Sequence, residues 1–247
     1  MARPGVLFDL FHTLIYPDPP NSPVGRVSQK LAESFRAVGI DVPEEEAIDI
    51  DRAIWRHGLS PPDGDSTRFE RRLAAYLSAV HGVDLKPSLL RPAADAACLS
   101  WDDLIVFDPG LKETLESLSA RYALGVVSNF DHYPYPHALL KRLDLAKYFD
   151  VVVISGEEDV EKPDPEIVYR ACARMDSSPQ NTVFVGDSIT DYRVSTAAGM
   201  RFFWIRRSDS YSPDNEHFRE TDEELRKRVE QGEIVLISSL TELLDYL

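Results

Sequence analysis

The sequence predicts an α/β fold: a Rossmann-like three-layer core built on a parallel sheet, with an all-helical domain inserted after the first strand. Three observations predict it. Short apolar runs recur along the chain (Val6-Leu7-Phe8, Leu124 to Val127, Val151 to Ile154, Val183 to Val185, Phe202 to Ile205, Ile234 to Ile237), and strands buried on both faces read this way. From about residue 105 onward these runs alternate with segments of helical periodicity, the rhythm of right-handed βαβ crossovers. Between the first run and residue 105 only helical patterns occur.

Taken in order, the first strand leads into Tyr16 to Pro23, where four prolines forbid helix. Val24, Val27, Leu31, Phe35 and Val38 share one helical face, which Gly39 ends. Pro43 with Glu44, Glu45 and Glu46 opens a second helix, proline and acids suiting a first turn. A third runs from about Ser66 to Gly82 and a fourth begins near Pro87. Pro109-Gly110 precedes the next helix, and the strand from Tyr122 ends at Ser128-Asn129. Helices at about 136–145 and 165–175, and another ending at Gly199, separate the later strands. Asp209 to Glu233 reads as a solvated loop and a charged helix. The expected division is a core of residues 1–16 and 105–247 and a helical domain of residues 17–104.

Lys and Arg number 27 against 42 Asp and Glu, a formal charge of −15 that repels nucleic-acid phosphates. No apolar run approaches the roughly 20 residues of a membrane helix. Cys98 and Cys172 stand in helical patterns without metal-ligand spacing, as buried free thiols of a reducing compartment do. The expectation is a soluble cytoplasmic protein with no nucleic-acid or membrane partner.

Functional groups of an open α/β sheet lie beyond the carboxyl ends of its strands. Asp9, Asp187 and Asp191 all follow such ends, and three converging carboxylates repel one another unless a cation or proton joins them. Hard oxygen ligands with room for water suit magnesium. Residues four apart share a helical face, which puts Asp187 and Asp191 on one side of a loop opening into a helix. Ser128 and Asn129 offer a hydroxyl, an amide and backbone N–H groups to an anionic oxygen. Lys162, in Lys-Pro-Asp-Pro before a helix, can neutralise both a carboxylate and a substrate phosphate.

In order and context, Asp9-Leu10-Phe11-His12-Thr13, Ser128-Asn129, Lys162-Pro163-Asp164-Pro165 and Gly186-Asp187-Ser188-Ile189-Thr190-Asp191 resemble the four motifs of the haloacid dehalogenase superfamily. Phe184 to Met200 and Val126 to Asp131 are also similar, and the helical insertion matches that family's C1 cap in position and character. The resemblance implies a nucleophilic Asp9 that forms an aspartyl ester. It implies Mg2+ held by Asp9, the backbone carbonyl of Phe11 and Asp187, with Asp191 in support. Ser128, Asn129 and Lys162 would hold the transferring group, Ser128 and Lys162 assisting catalysis, and Thr13 would shape the turn and the substrate site. The implied substrate is a small anionic molecule, a phosphate ester.

One position departs from the pattern. Phosphatases of the family carry a second aspartate two residues after the nucleophile as general acid, and here that residue is Phe11, which transfers no proton. Three readings follow: a phosphatase acting on a good leaving group or borrowing an acid from His12, His57 or His132; a 2-haloacid dehalogenase, whose halide departs unprotonated; and a protein that binds a ligand or partner without turnover.

Overall fold

The computed structural model describes residues 3–17, 24–55, 66–207 and 216–247. His57, and the loop residues at the start of the acidic stretch, lie outside them. The chain divides into two compact units: Met1–Pro17, Val106–Phe130 and Leu140–Leu247 in one, Asp18–Ile105 and Asp131–Leu139 in the other.

The first unit holds a six-stranded parallel sheet in the order β5-β4-β1-β6-β7-β8, flanked by helices. Its strands are β1 Gly5–Phe8, β4 Ala123–Ser128, β5 Val151–Ile154, β6 Thr182–Gly186, β7 Arg201–Ile205 and β8 Val235–Ile237. β1 is central, paired with β4 on one side and β6 on the other. The chain builds outward through β4 and β5, then returns to place β6 on the opposite side. That reversal makes the carboxyl end of β1 a topological switch point, where such sheets bind ligands. β1 and β4 are buried at every residue, which explains their unbroken apolar runs. Leu7, Val127, Val153, Phe184 and Trp204 pack with Ile167, Val168, Ala171 and Cys172 of the helix Glu166–Arg174 and with Val194 and Ala198. Burying each such large side chain contributes about 1.5–3 kcal/mol. Tyr16–Pro17 (β2) and Ile105–Val106 (β3) pair in a separate two-stranded ladder absent from the sequence expectation, where prolines excluded helix but did not reveal pairing.

The second unit carries four helices, Val24–Ala37 (α1), Glu44–Trp55 (α2), Arg68–His81 (α3) and Pro87–Leu99 (α4). Their apolar faces bury Leu31, Phe35, Ile50, Phe69, Leu73, Leu77, Ala94 and Ala97. Thr67 caps α3 reciprocally with Glu70, and Gly82 closes it at φ 64°. Both cysteines are buried and neither is in a disulfide, Cys98 in α4 and Cys172 in the helix Glu166–Arg174. Among the described residues, no helix is long and apolar enough to cross a membrane.

Asp131–Leu139 belong to the helical unit, whereas the sequence expectation gave all of residues 105–247 to the core. Side-chain bonds account for this. His132 is completely buried, its Nε2 lies 2.7 Å from Asp95, and its Nδ1 lies 3.1 Å from the Thr67 hydroxyl. Arg72 pairs with Asp131 at 2.6 Å, and the Tyr135 hydroxyl donates to Asp102 at 2.7 Å. These partners are polar residues of amphipathic helices, and apolar periodicity carries no trace of them.

Candidate active site

Asp9 follows β1, and its backbone N–H donates to the Val185 carbonyl of β6 at 2.9 Å, so the sheet itself sets its position. Asp9, Asp187 and Asp191 are buried and each offers a carboxylate oxygen within 4.8 Å of the others. Lys162 lies between two of them, its Nζ donating at 2.6 Å to Asp9 Oδ1 and at 2.6 Å to Asp191 Oδ1. Three carboxylates face one ammonium.

The electrostatics follow from that imbalance. Burial pushes the Asp9 carboxyl up to about 7; Lys162 opposes the rise, while Asp191 and Asp187 add to it. Burial also works against the Lys162 ammonium, but Asp191 and Asp9 outweigh it and hold the group protonated, above the usual lysine range. Lys162 is therefore held as a cation here, and its charge does not offset the cost of burying Asp9 beside two other carboxylates.

Lys162 owes its place to Asn129. The Asn129 amide nitrogen donates to the Lys162 carbonyl at 2.9 Å, while its oxygen accepts the Lys162 backbone N–H at 2.8 Å. One side chain thus reads both backbone polar groups of Lys162. The amide spends one of its two N–H groups and one oxygen lone pair on this brace. Ser128 ends β4 and is buried. Two residues on, Phe130 is anchored by its N–H to the Ser155 hydroxyl at 3.0 Å.

Asp187 stands in the loop that opens into the helix Ile189–Ala197, and Asp191 lies in that helix's first turn. Asp191 caps it from within: its Oδ2 accepts from the Ser188 N–H at 3.0 Å and the Ser188 hydroxyl at 2.6 Å. A Cβ at Gly186 would lie 2.5 Å from the Asp191 Cβ, so a glycine there is what lets the carboxylate fold back beside the strand end. Asp187 is held by its own carbonyl, which accepts the Trp204 indole N–H at 3.1 Å, and by the Thr13 hydroxyl, which donates to its Oδ1 at 3.2 Å. Thr13 is completely buried, and its hydroxyl steadies a carboxylate.

Phe11 is half-buried and stacks on Phe130, ring centroids 5.1 Å apart and planes at 22°. Beyond it the chain turns sharply. His12 sits at φ 65°, and the Leu10 carbonyl accepts from Leu14 and Ile15 at 2.9 and 3.1 Å. Burial and the neighbouring Arg207 push the His12 imidazole down to about 4, so it is neutral at pH 7 and a poor proton reservoir. His132 is tied to Asp95 and Thr67 within the helical unit.

Sequence reasoning missed two residues around this turn. Arg207, buried after β7, donates to the carbonyls of His12 and Thr13, both at 2.7 Å, and pairs with Asp108. Arginine in a polar run after a strand carries no periodic signal; only its place at a strand end marks it.

A family model described as haloacid dehalogenase-like hydrolase matches residues 93–205. That segment contains Ser128, Asn129, Lys162, Asp187 and Asp191; Asp9 and Phe11 fall outside it. Over 92 residues the chain is 39% identical to phosphoglycolate phosphatase of Escherichia coli strain K12, a match covering 37% of this chain and 36% of that protein. The chain thus spans little more than a third of the length of that curated relative. Among solved structures it is similar to a HAD phosphatase from Thermococcus onnurineus, with TM-score 0.59, 24% identity and coverage of 98% of this chain and 97% of that one. It is similar also to a HAD hydrolase from Bacillus subtilis solved bound to magnesium, with TM-score 0.59, 20% identity and coverage of 100% and 99%. At such identities these structures speak for the fold alone. Residues 93–205 are thus similar to haloacid dehalogenase-like hydrolases, and the parallel six-stranded sheet agrees with that likeness.

Proposed function

We propose that the protein is a magnesium-dependent hydrolase of a small phosphorylated metabolite, working through an ester on Asp9. The observation that carries this reading is the convergence of Asp9, Asp187 and Asp191 around a single ammonium. The donor set fits a magnesium ion: hard carboxylate oxygens, an excess of negative charge, and an Asp9 carboxyl that burial leaves short of compensation. Asp9, Asp187 and the Phe11 carbonyl would hold the ion, with Asp191 in support. When bound it would neutralise charge on the phosphoryl oxygens. The curated relative is named for phosphoglycolate, and one solved relative for magnesium, in keeping with this class of substrate and cofactor.

Lys162 holds Oδ1 of Asp9, which assigns attack on phosphorus to Oδ2. The Asp9–phosphorus bond forms as the bond to the leaving oxygen breaks, and water then cleaves the ester and restores the carboxylate. Lys162, the Ser128 hydroxyl and the backbone N–H of Asn129 offset the charge of the phosphoryl oxygens. Phe11 supplies no proton to the departing oxygen, so substrates whose leaving groups are stable as anions suit the site. Its stack on Phe130 places an apolar wall in the acid's position, the observation that also keeps carbon–halogen hydrolysis as a second reading.

The test is hydrolysis of an activated aryl phosphate, with magnesium and with chelator, by wild type and Phe11→Asp. Magnesium-dependent turnover is expected. Phe11→Asp should raise the rate on an alkyl phosphate by about 10²-fold, within the usual range for general acid catalysis, and change the aryl rate much less. No turnover of aryl phosphate in the presence of magnesium would defeat the proposal, and turnover of a 2-haloacid instead would establish the second reading.

A further inference from the structure

The loop that follows Asp9 is held from outside by one arginine. Arg207 is 9% exposed, and its guanidinium is divided between two tasks. On one edge it pairs with Asp108, Nε at 2.8 Å from Oδ1 and Nη2 at 2.7 Å from Oδ2. With the remaining hydrogens, Nη1 donates to the His12 carbonyl and Nη2 to the Thr13 carbonyl, each at 2.7 Å. The Tyr16 ring lies 4.6 Å from the guanidinium carbon, and its hydroxyl donates to Asp108 Oδ1 at 3.0 Å. A buried cation is thus paired, stacked and satisfied in one plane, which its fixed fork permits and a lysine ammonium cannot copy.

The two carbonyls it grips belong to the residues that turn the chain back. His12 is in the left-handed region at φ 65°, a conformation that costs a non-glycine residue about 1 kcal/mol or more and persists only where its surroundings enforce it. Residue 11 lies just before this turn, and Thr13, just after it, donates to Asp187. We infer that Arg207, oriented by Asp108, is a positioning residue: it locks the 10–13 loop so that Asp9, the Phe11 carbonyl and Asp187 keep the spacing a divalent cation requires. The inference rests on the proposed function for its kinetic consequence, but its geometric claim concerns cation affinity and stands apart from turnover.

The experiment uses the full chain. Mn2+ affinity is measured by titration calorimetry, kcat and KM on an aryl phosphate are measured with magnesium, and folding is checked by circular dichroism. The variants are Arg207→Lys and Asp108→Asn, with Arg174→Lys as control, since Arg174 pairs with Glu158 instead. Arg207→Lys keeps the charge and loses the fork. A misplacement of about 1 Å costs on the order of 10²-fold in rate, so kcat should fall about 10- to 100-fold with KM changed less than about threefold. Mn2+ binding should weaken by about fivefold or more, Asp108→Asn should follow in the same direction, and the control should stay within about twofold. Guanidinium ion at millimolar concentration should restore part of the activity of Arg207→Ala, which a purely structural role would not allow. The inference is overturned if folded Arg207→Lys and Asp108→Asn both keep Mn2+ affinity and kcat within twofold of wild type, or if every loss tracks only the folded fraction. A wild type that binds Mn2+ yet hydrolyses nothing would sink the proposed function and leave the affinity comparison to decide this one.

Discussion

Each unit of the molecule buries a polar cluster, and the two are built to opposite specifications. In the helical unit, Glu70 is almost fully buried, pairs with Arg91 and closes the capping box on Thr67, while His132 bonds to Thr67 and Asp95. Burial lowers the His132 pKa, so the neutral ring is the form this cluster accommodates. There Glu70 has Arg91 as its counter-charge and His132 has a bonding partner at each ring nitrogen, as a structural clamp requires. In the α/β unit, three buried carboxylates converge, one lysine pairs with two of them, Asp9 and Asp191, and Asp9 is left undercompensated. A protein that wanted only stability would not leave the second cluster in this state. Unbalanced burial marks a site waiting for charge, and balanced burial marks a joint.

Asp9→Asn should break this comparison most sharply. It should abolish aryl phosphate turnover by at least about 10³-fold, since an amide is no nucleophile here. In the absence of metal it should melt no lower than wild type, because it removes repulsion. A lower melting temperature in chelator would show that the carboxylate cluster is a stabilising joint after all. Next in size is Lys162→Met, which leaves Asp9 and Asp191 without the ammonium that pairs with both and should cost about 3 kcal/mol, read by denaturant titration, with part of the loss recovered on adding magnesium. Glu70→Gln sharpens the comparison from the other side: it should destabilise by about 1–2 kcal/mol, with no recovery by magnesium.

The smallest effect concerns pH. With the folded pKa of His132 below its ordinary value of 6.5, the unfolded chain binds a proton first as pH falls. The stability contributed by the buried neutral ring is therefore fully present above pH 6.5 and declines as pH drops from there toward the lowered folded value. His132→Gln should flatten that decline in melting temperature between pH 7 and 5. An unchanged slope would mean that another group governs it.

How much of this was legible beforehand differs by the kind of force involved. The strands were plain, because a central parallel strand has two faces to bury and Val6-Leu7-Phe8 has no polar residue to spare. The helix ends were plain where Pro43, Gly82 and Pro87 mark them. The capping box of α3 had its signature in Thr67 and Glu70 and could have been read. The acidic site was visible because carboxylates at strand ends are chemically conspicuous. What no periodicity displayed were the braces: Asn129 on the backbone of Lys162, Trp204 on the Asp187 carbonyl, and Arg207 on the turn after Asp9. Each joins residues more than thirty positions apart or reaches a main-chain atom, and neither partner changes the local pattern. The same holds for Asp131–Leu139, which partners on α3, α4 and the turn after α4 draw out of the core.

That last segment bears on how the protein can be taken apart. The helical unit is woven from two stretches of chain, so the polypeptide passes from one unit to the other near residues 17, 105, 130 and 139. Excising residues 18–105 would leave Arg72, Asp95 and Thr67 without Asp131 and His132, and would leave those two stranded on the remainder. A chimaera that exchanges this unit for a relative's must transplant both stretches together, and recombination breakpoints placed only at the first two crossings should yield insoluble hybrids.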